Sequence, residues 1–433
     1  MSNKQYESLI FFYYFRFVFL FSIVMPTFQN YFDSAGVLIV NGALIVFLFF
    51  YLFRMRVFLF FQSNAHKARV FRYLIPLLLM AMVLPLSMAI GLLFGNINLI
   101  ERDFYEGYRP LLYMMTFLFS FSFFSKEGSL DRFESLLLFV FIIVVVLGLN
   151  HYFGFFSPIS YYYTKTLNIE SYRVSTPFTN PYDYAFFMTF FVYYFFMKAF
   201  FHNMKYIPFF FMSIVMLVLP QSRSVMVGFL VGFFLIMPFL LSFTEFKVKR
   251  MIIKKRLLYF YVIFVLILIL LIGALPYLIE NFRYLTGQFV RLIENGDIGN
   301  SAGLRIQQFL FALDKAVNNP LILVFGNGPA KDEMQFVESI YNYLFYRYGL
   351  IGVFCYFLIL FLAVFETWKI VKYLRSNSKN YCFFYAVLLW LLTIPLLSIG
   401  NNFTEQVRLS FFYYTILGLV SASYYEIILK SKK

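Results

Sequence analysis

A chain of 433 residues that is 62% hydrophobic and only 13% charged has too little polar sequence to clothe a water-soluble core. Its 36 Lys and Arg outnumber 21 Asp and Glu, for a net charge of +15. The basic runs Arg54 to Arg72, Lys247 to Arg256 and Lys369 to Lys379 fall between apolar stretches, which excludes a nucleic-acid-binding surface and fits loops beside anionic headgroups. Cys355 and Cys382 both fall in apolar stretches, so neither a disulfide framework nor a zinc site is supported.

Hydropathy divides the chain into about 12 apolar stretches, each near the roughly 20 residues that a spanning helix needs. In chain order they cover roughly 8–25, 35–53, 70–94, 108–125, 134–153, 181–200, 205–220, 222–243, 257–279, 337–365, 381–399 and 409–428. The expected fold is therefore a single all-α polytopic membrane domain over residues 1–433. The first stretch lacks a small-residue cleavage site and reads as an uncleaved helix. Threading the spans so that Lys and Arg gather on the cytoplasmic side puts both termini there.

The same threading leaves a second set of cations outside. It comprises Arg102, Arg109, Arg173, Arg223, Arg283, Arg291, Arg305 and Arg408, against only Lys165, Lys315 and Lys331. Topology does not require these arginines. A planar, permanently charged fork matches phosphate oxygens better than an ammonium does, so the bias points to an anionic, phosphate-bearing ligand on the outer side.

Three external connections are long. Residues 95–107 contain Glu101-x-Asp103, a weak signal for a divalent metal. Residues 154–180 include Tyr161, Tyr162 and Tyr163, which anchor at an interface or stack on sugar rings. Residues 280–336, between spans nine and ten, carry two helical patterns. In the first, Phe282, Leu285, Phe289, Leu292 and Ile293 recur at helical spacing, with Arg283 and Arg291 near one polar face and Asn295-Gly296 as a stop. In the second, Ser301 is the expected cap and Arg305 lies in the first turn. Ile306, Phe309, Leu310, Leu313 and Val317 form its apolar stripe, and Asn318-Asn319-Pro320 ends it. Both are amphipathic, as expected of elements on the membrane surface over a cavity.

Three constellations carry candidate chemistry. Arg223 stands in Gln221-Ser222-Arg223-Ser224, at a short turn where apolar sequence resumes. It either faces a wet cavity or snorkels to the interface. Arg305 opposes the helix dipole where it is predicted, so local stability does not explain it; it either meets a bound phosphate at the helix start or is a solvated loop arginine. Glu338, Tyr341 and Asn342 open span ten with Arg347 about two turns further in. Glu338 is either a general base or a structural partner of Arg347. Gly326-x-Gly328 lacks a strand and a third glycine, so it is a turn and not a nucleotide loop. No histidine cluster or thiolate site is visible, so metal-free chemistry is expected, with no cofactor. His151, at the outer end of span five, reads as a satisfied interfacial histidine.

In this order, Ser222-Arg223-Ser224, the loop arginine Arg305, Asn318-Asn319-Pro320…Gly326-Asn327-Gly328 and Glu338-Ser339-x-Tyr341…Tyr348-Gly349-Leu350-Ile351-Gly352 resemble the O-antigen polymerase and ligase superfamily of bacterial envelope enzymes. The likeness covers roughly residues 215–365 in pattern and the whole chain in hydropathy. It implies a membrane glycosyltransferase of the multi-spanning C type in the bacterial inner membrane, with 280–336 as its long periplasmic loop. Such an enzyme uses undecaprenyl-diphosphate-linked glycans and works with a chain-length regulator and a flippase.

In that reading Arg223 and Arg305 hold the diphosphate and Glu338 serves the acceptor. Arg173, Arg283, Arg291, Tyr341, Asn342, Arg347 and Arg408 are the substrate-binding candidates. Ligases of the superfamily typically carry a His near the start of the span after the long loop. This chain has Glu338 there and no His in 280–336, which favours a polymerase. The Trp often found after the loop Arg is replaced by Gln308 and Phe309. The alternatives are a ligase that moves finished glycan onto lipid A-core, and a lipid-linked oligosaccharide flippase. A flippase would place more cations deep in its spans than Arg16 and Arg347. A non-catalytic chain-length protein would show a coiled-coil heptad pattern, which is not visible.

Overall fold

A computed structural model describes residues 3–54, 64–126, 128–163, 173–243, 299–374 and 379–429, with Val262 and Gly287 as isolated positions. Every regular element among the described residues is helical. The first five of the longer helices are α1 (Asn3–Val24), α2 (Gln29–Arg54), α3 (Asn64–Phe94), α4 (Tyr108–Phe124) and α5 (Ser129–Phe153). Then come α6 (Pro181–Phe201), α7 (Ile207–Val218) and α8 (Arg223–Val231), the last continued by a π-helical turn and Met237–Phe243. After the undescribed part follow α9 (Asn300–Asn318), α10 (Pro320–Phe325), α11 (Ile340–Tyr373), α12 (Lys379–Leu397) and α13 (Val407–Tyr424).

Among the described residues, seven helices are long and apolar enough to cross a bilayer. Two shorter apolar stretches, Ile10–Val24 and Met204–Val218, accompany them. With its backbone polar groups paired inside helices, such a chain meets the bilayer's demand that none be left exposed to hydrocarbon. The protein is thus an all-α, multi-pass membrane protein. Predicted span 257–279 and the helix expected around Arg283 and Arg291 lie outside the described residues.

The centre of the bundle is α6. Every residue from Tyr182 to Ala199 is buried, polar ones included. Phe186, Phe190, Phe412 and Tyr413 pack edge-on around Trp390 of α12, with ring centroids 5.4 to 6.3 Å away. At the periphery α2 turns Ile39, Val46, Phe49 and Phe53 outward, the surface that lipid covers in a spanning helix. One pair of charges taken into the bundle is Lys198 and Glu134, which meet at 2.8 Å at the opposite end of α6 from Asn180.

A break in α11 positions the functional end. Gly349 sits at φ 62, ψ −159 inside the helix, so the hydrogen-bond ladder is interrupted there. The turn Gly326-Asn327-Gly328 repairs it. The Asn327 N–H donates to the Tyr346 carbonyl at 2.8 Å and the Gly328 N–H to the Arg347 carbonyl at 3.1 Å. The chains pass so closely that a Cβ on Gly349 would lie 2.5 Å from the Val324 carbonyl oxygen. The glycine-rich turn is therefore a backbone patch on a broken helix.

Candidate active site

Five separate elements end around one cavity of about 340 Å³. The start of α6 contributes Asn180, Pro181 and Tyr182, and the start of α8 contributes Ser222, Arg223 and Ser224. Ser301 and Arg305 enter from α9, Glu338 from the residue before the α11 cap, and Gly400 and Asn401 from the turn after α12. Arg173 completes the wall, with its Nε donating to the Pro220 carbonyl at 3.0 Å. Three arginines and the carboxylate singled out in the sequence thus share one cavity, although they lie up to 165 residues apart.

Arg305 and Glu338 form its polar centre. Arg305 Nη2 lies 2.9 Å from Glu338 Oε2 and also donates to Ser301 Oγ and the Gly400 carbonyl, each at 2.9 Å. The Ser301 hydroxyl donates to the same Glu338 oxygen at 3.1 Å. Three acceptors crowd one guanidinium nitrogen while the buried Arg305 Nε has no hydrogen-bond partner.

The backbones of both residues are held from behind. Asn342 Nδ2 donates to the Arg305 carbonyl at 2.9 Å, fixing α9 against α11. Gln308 does the same for Glu338: its Nε2 donates to the Phe336 carbonyl at 2.8 Å, and its Oε1 accepts from the Glu338 N–H at 3.2 Å. Sequence reading marked Gln308 only as a missing Trp. Its role depends on a contact across 30 residues, which no local pattern signals.

Several expectations are corrected. Ser301 does not cap α9; the cap is Gly299 at φ 77, ψ 153, and the serine hydroxyl is turned to Glu338. Arg305 accordingly lies in the second turn, not the first, and acts through its guanidinium, not through helix-end amides. The amphipathic pattern expected of α9 is not corrected: Ile306, Phe309, Leu310 and Val317 are exposed, and Gln308, Ala312 and Ala316 lie against the protein. Glu338 pairs with Arg305 and not with Arg347. Tyr341 does not line the cavity, because its hydroxyl donates to the Pro395 carbonyl at 2.6 Å. In the 95–107 connection Asp103 caps backbone, accepting from the Ile100 and Lys331 N–H groups at 2.9 and 3.0 Å, and Glu101 accepts from the Tyr105 hydroxyl at 2.6 Å. Among the described residues, no three His, Cys, Asp or Glu gather as a metal site. His151 Nδ1 lies 2.8 Å from the Thr176 hydroxyl.

Arg347 belongs to a second, buried charge network. Its Nη1 reaches Glu405 at 3.1 Å and Glu106 at 3.4 Å, with its guanidinium over the Tyr343 ring. Arg109 Nε lies 3.0 Å from Glu106 and Lys331 Nζ 2.5 Å from it. Burial alone would raise the Glu106 carboxyl. Arg109, Arg347 and Lys331 outweigh burial and hold its pKa at about 2. The network ties the 95–107 connection to α11 and to the turn before α13. Arg408 lines a second cavity, whose wall Arg109 and Glu405 of this network share. Arg283 and Arg291 are outside the described residues. No protein-family model matches this chain, and no curated protein matches it.

Proposed function

We propose that the chain is a polysaccharide polymerase of the O-antigen type. It would transfer an undecaprenyl-diphosphate-linked glycan onto a lipid-linked repeat unit at the periplasmic face of the bacterial inner membrane, with about 12 spans and both termini cytoplasmic. The observation that carries this reading is the meeting of Arg173, Arg223 and Arg305 with Glu338 in one cavity at the end of the bundle.

The chemistry follows from those groups. An acceptor hydroxyl oxygen attacks the anomeric carbon of the donor sugar, and the bond from that carbon to the diphosphate breaks. The electron pair leaves with the diphosphate, where arginines stabilise the charge as it develops. The hydroxyl proton passes to Glu338 Oε1, since both contacts described above fall on Oε2. Such a transfer needs charge stabilisation at the leaving group more than a proton donor, and these side chains provide it.

Deleting the gene and resolving the surface glycan on a gel, beside a lipid-linked precursor assay, tests this. A core carrying a single repeat unit, restored to a ladder by the wild-type chain and not by Arg305→Gln, supports the polymerase. Bare core with polymer left on the carrier lipid would mean a ligase. Repeat units stranded on the inner leaflet would mean a flippase.

A further inference from the structure

A second cavity of about 230 Å³ lies at the same end of the bundle, on the other side of the Phe178–Tyr182 segment. Its walls differ in kind. Phe21 of α1 and Val37, Val40 and Leu44 of α2 make one side mainly apolar; Ser22 and Asn41 on that side donate to the Phe19 carbonyl and the Tyr108 hydroxyl, and the far face of α2 is exposed and apolar. The opposite side is formed by Arg109 and by Glu405, Gln406, Val407 and Arg408 at the start of α13.

Two buried polar atoms here lack hydrogen-bond partners, although the Arg408 guanidinium also lies 5.7 Å over the Tyr163 ring. Arg408 is 7% exposed; its Nη2 donates to the Met25 carbonyl at 2.5 Å, but its Nη1 has no hydrogen-bond partner. Thr27 Oγ1, also buried, has none either. Leaving such groups unmet costs free energy that a ligand would recover. Asp183 of α6 does not meet the need, since both of its carboxylate oxygens accept no hydrogen bond. The start of α13 lines the cavity as well, and Gln406 gives that helix no side-chain cap. Uncapped amides and a guanidinium at a helix start form an anion site. Glu405 does not oppose this, because it is committed to Arg347 and Arg109 at 3.1 and 3.4 Å.

We propose that this cavity binds the phosphate of a membrane lipid, with the phosphate between Arg408, Thr27 and the α13 amides and the lipid chain leaving along the apolar wall of α1 and α2. The ligand class follows from the two walls: a soluble anion would use only one of them. None of its residues lines the first cavity, so lipid retention here is read separately from polymerisation.

Native mass spectrometry of the full chain in detergent tests it. Phosphatidylglycerol is the phosphate-bearing probe, monogalactosyl diacylglycerol the phosphate-free one and inorganic phosphate the soluble one. The expected result is preferential retention of phosphatidylglycerol, reduced about tenfold by Arg408→Gln and within about threefold of wild type for Arg408→Lys. Val40→Trp fills the apolar wall without touching a charge and should displace the lipid as well, which separates occupancy from any folding defect at Arg408. Equal retention of the two lipids, or unchanged retention by both Arg408→Gln and Val40→Trp, overturns the proposal. Displacement of phosphatidylglycerol by millimolar inorganic phosphate would overturn the lipid part and leave a soluble-anion site.

Discussion

Arg305 and Glu338 approach each other across a separation of 33 residues and meet at 2.9 Å through one nitrogen and one oxygen. Their side chains remain 27% and 32% exposed. At that exposure solvent screens the pair, which is worth only about 0–1 kcal/mol to the fold. Arg305→Gln and Glu338→Gln should therefore leave the melting temperature within a few degrees, while each lowers the polymerisation rate by about 10²-fold. Thermal unfolding of the purified variants, beside glycan ladders from complemented deletion cells, measures both. A large loss of stability in either variant would mean that the pair is a strut and not a site.

Gln308 bears on the same chemistry indirectly. Gln308→Leu keeps most of the volume and removes both contacts, leaving the Phe336 carbonyl and the Glu338 N–H unpaired. About 1–3 kcal/mol of stability should be lost, together with about tenfold in rate. Gln308→Glu keeps an acceptor for the Glu338 N–H and loses the donor to Phe336, so it should recover more activity than Gln308→Leu. Identical rates for the two variants would dissociate the Glu338 backbone from catalysis.

Acid should expose the buried network. Glu106 has its pKa lowered from an ordinary 4.5 to about 2, so its contribution to stability is complete above about 4.5 and is lost as pH falls toward about 2. Glu106→Gln should flatten the acid side of the stability profile over that window. At neutral pH it should also destabilise the protein by about 3–5 kcal/mol, because Arg347 keeps a buried charge with one carboxylate fewer. Melting temperature against pH for wild type and variant reads both effects. A parallel offset with unchanged pH dependence would contradict the titration.

The residues legible in the sequence were those that lipid makes conspicuous. Arg223, Arg305 and Glu338 stood out because a charge beside a span needs a physical reason, and they share a cavity. Their partners were not legible. Glu106 and Glu405 are separated by almost 300 residues, and nothing local marks them as ligands of the same guanidinium. The direction of α9 was also hidden. Periodicity shows that a helix has two faces; which one meets protein depends on what surrounds it, and Gln308, Ala312 and Ala316 turn inward here. Ser301 followed a sound capping preference that lost to a carboxylate within 3.1 Å.

The break in α11 yields a prediction that needs no functional assay. At φ 62 an alanine at position 349 would be strained, and its Cβ would sit 2.5 Å from the Val324 carbonyl oxygen. Neither atom is the tip of a flexible side chain, so backbone must move, and the Asn327 and Gly328 N–H groups would be drawn off the Tyr346 and Arg347 carbonyls. Gly349→Ala should cost at least about 1–3 kcal/mol. The neighbouring Gly352→Ala tests crowding within the helix without the left-handed backbone, since a Cβ there meets the Tyr348 side chain. Cys355 and Cys382 are free thiols buried in α11 and α12, so a thiol-reactive dye will report unfolding without any added label. The dye signal should appear at a lower temperature for Gly349→Ala than for wild type. If Gly349→Ala melts with wild type, the helix does not need its break.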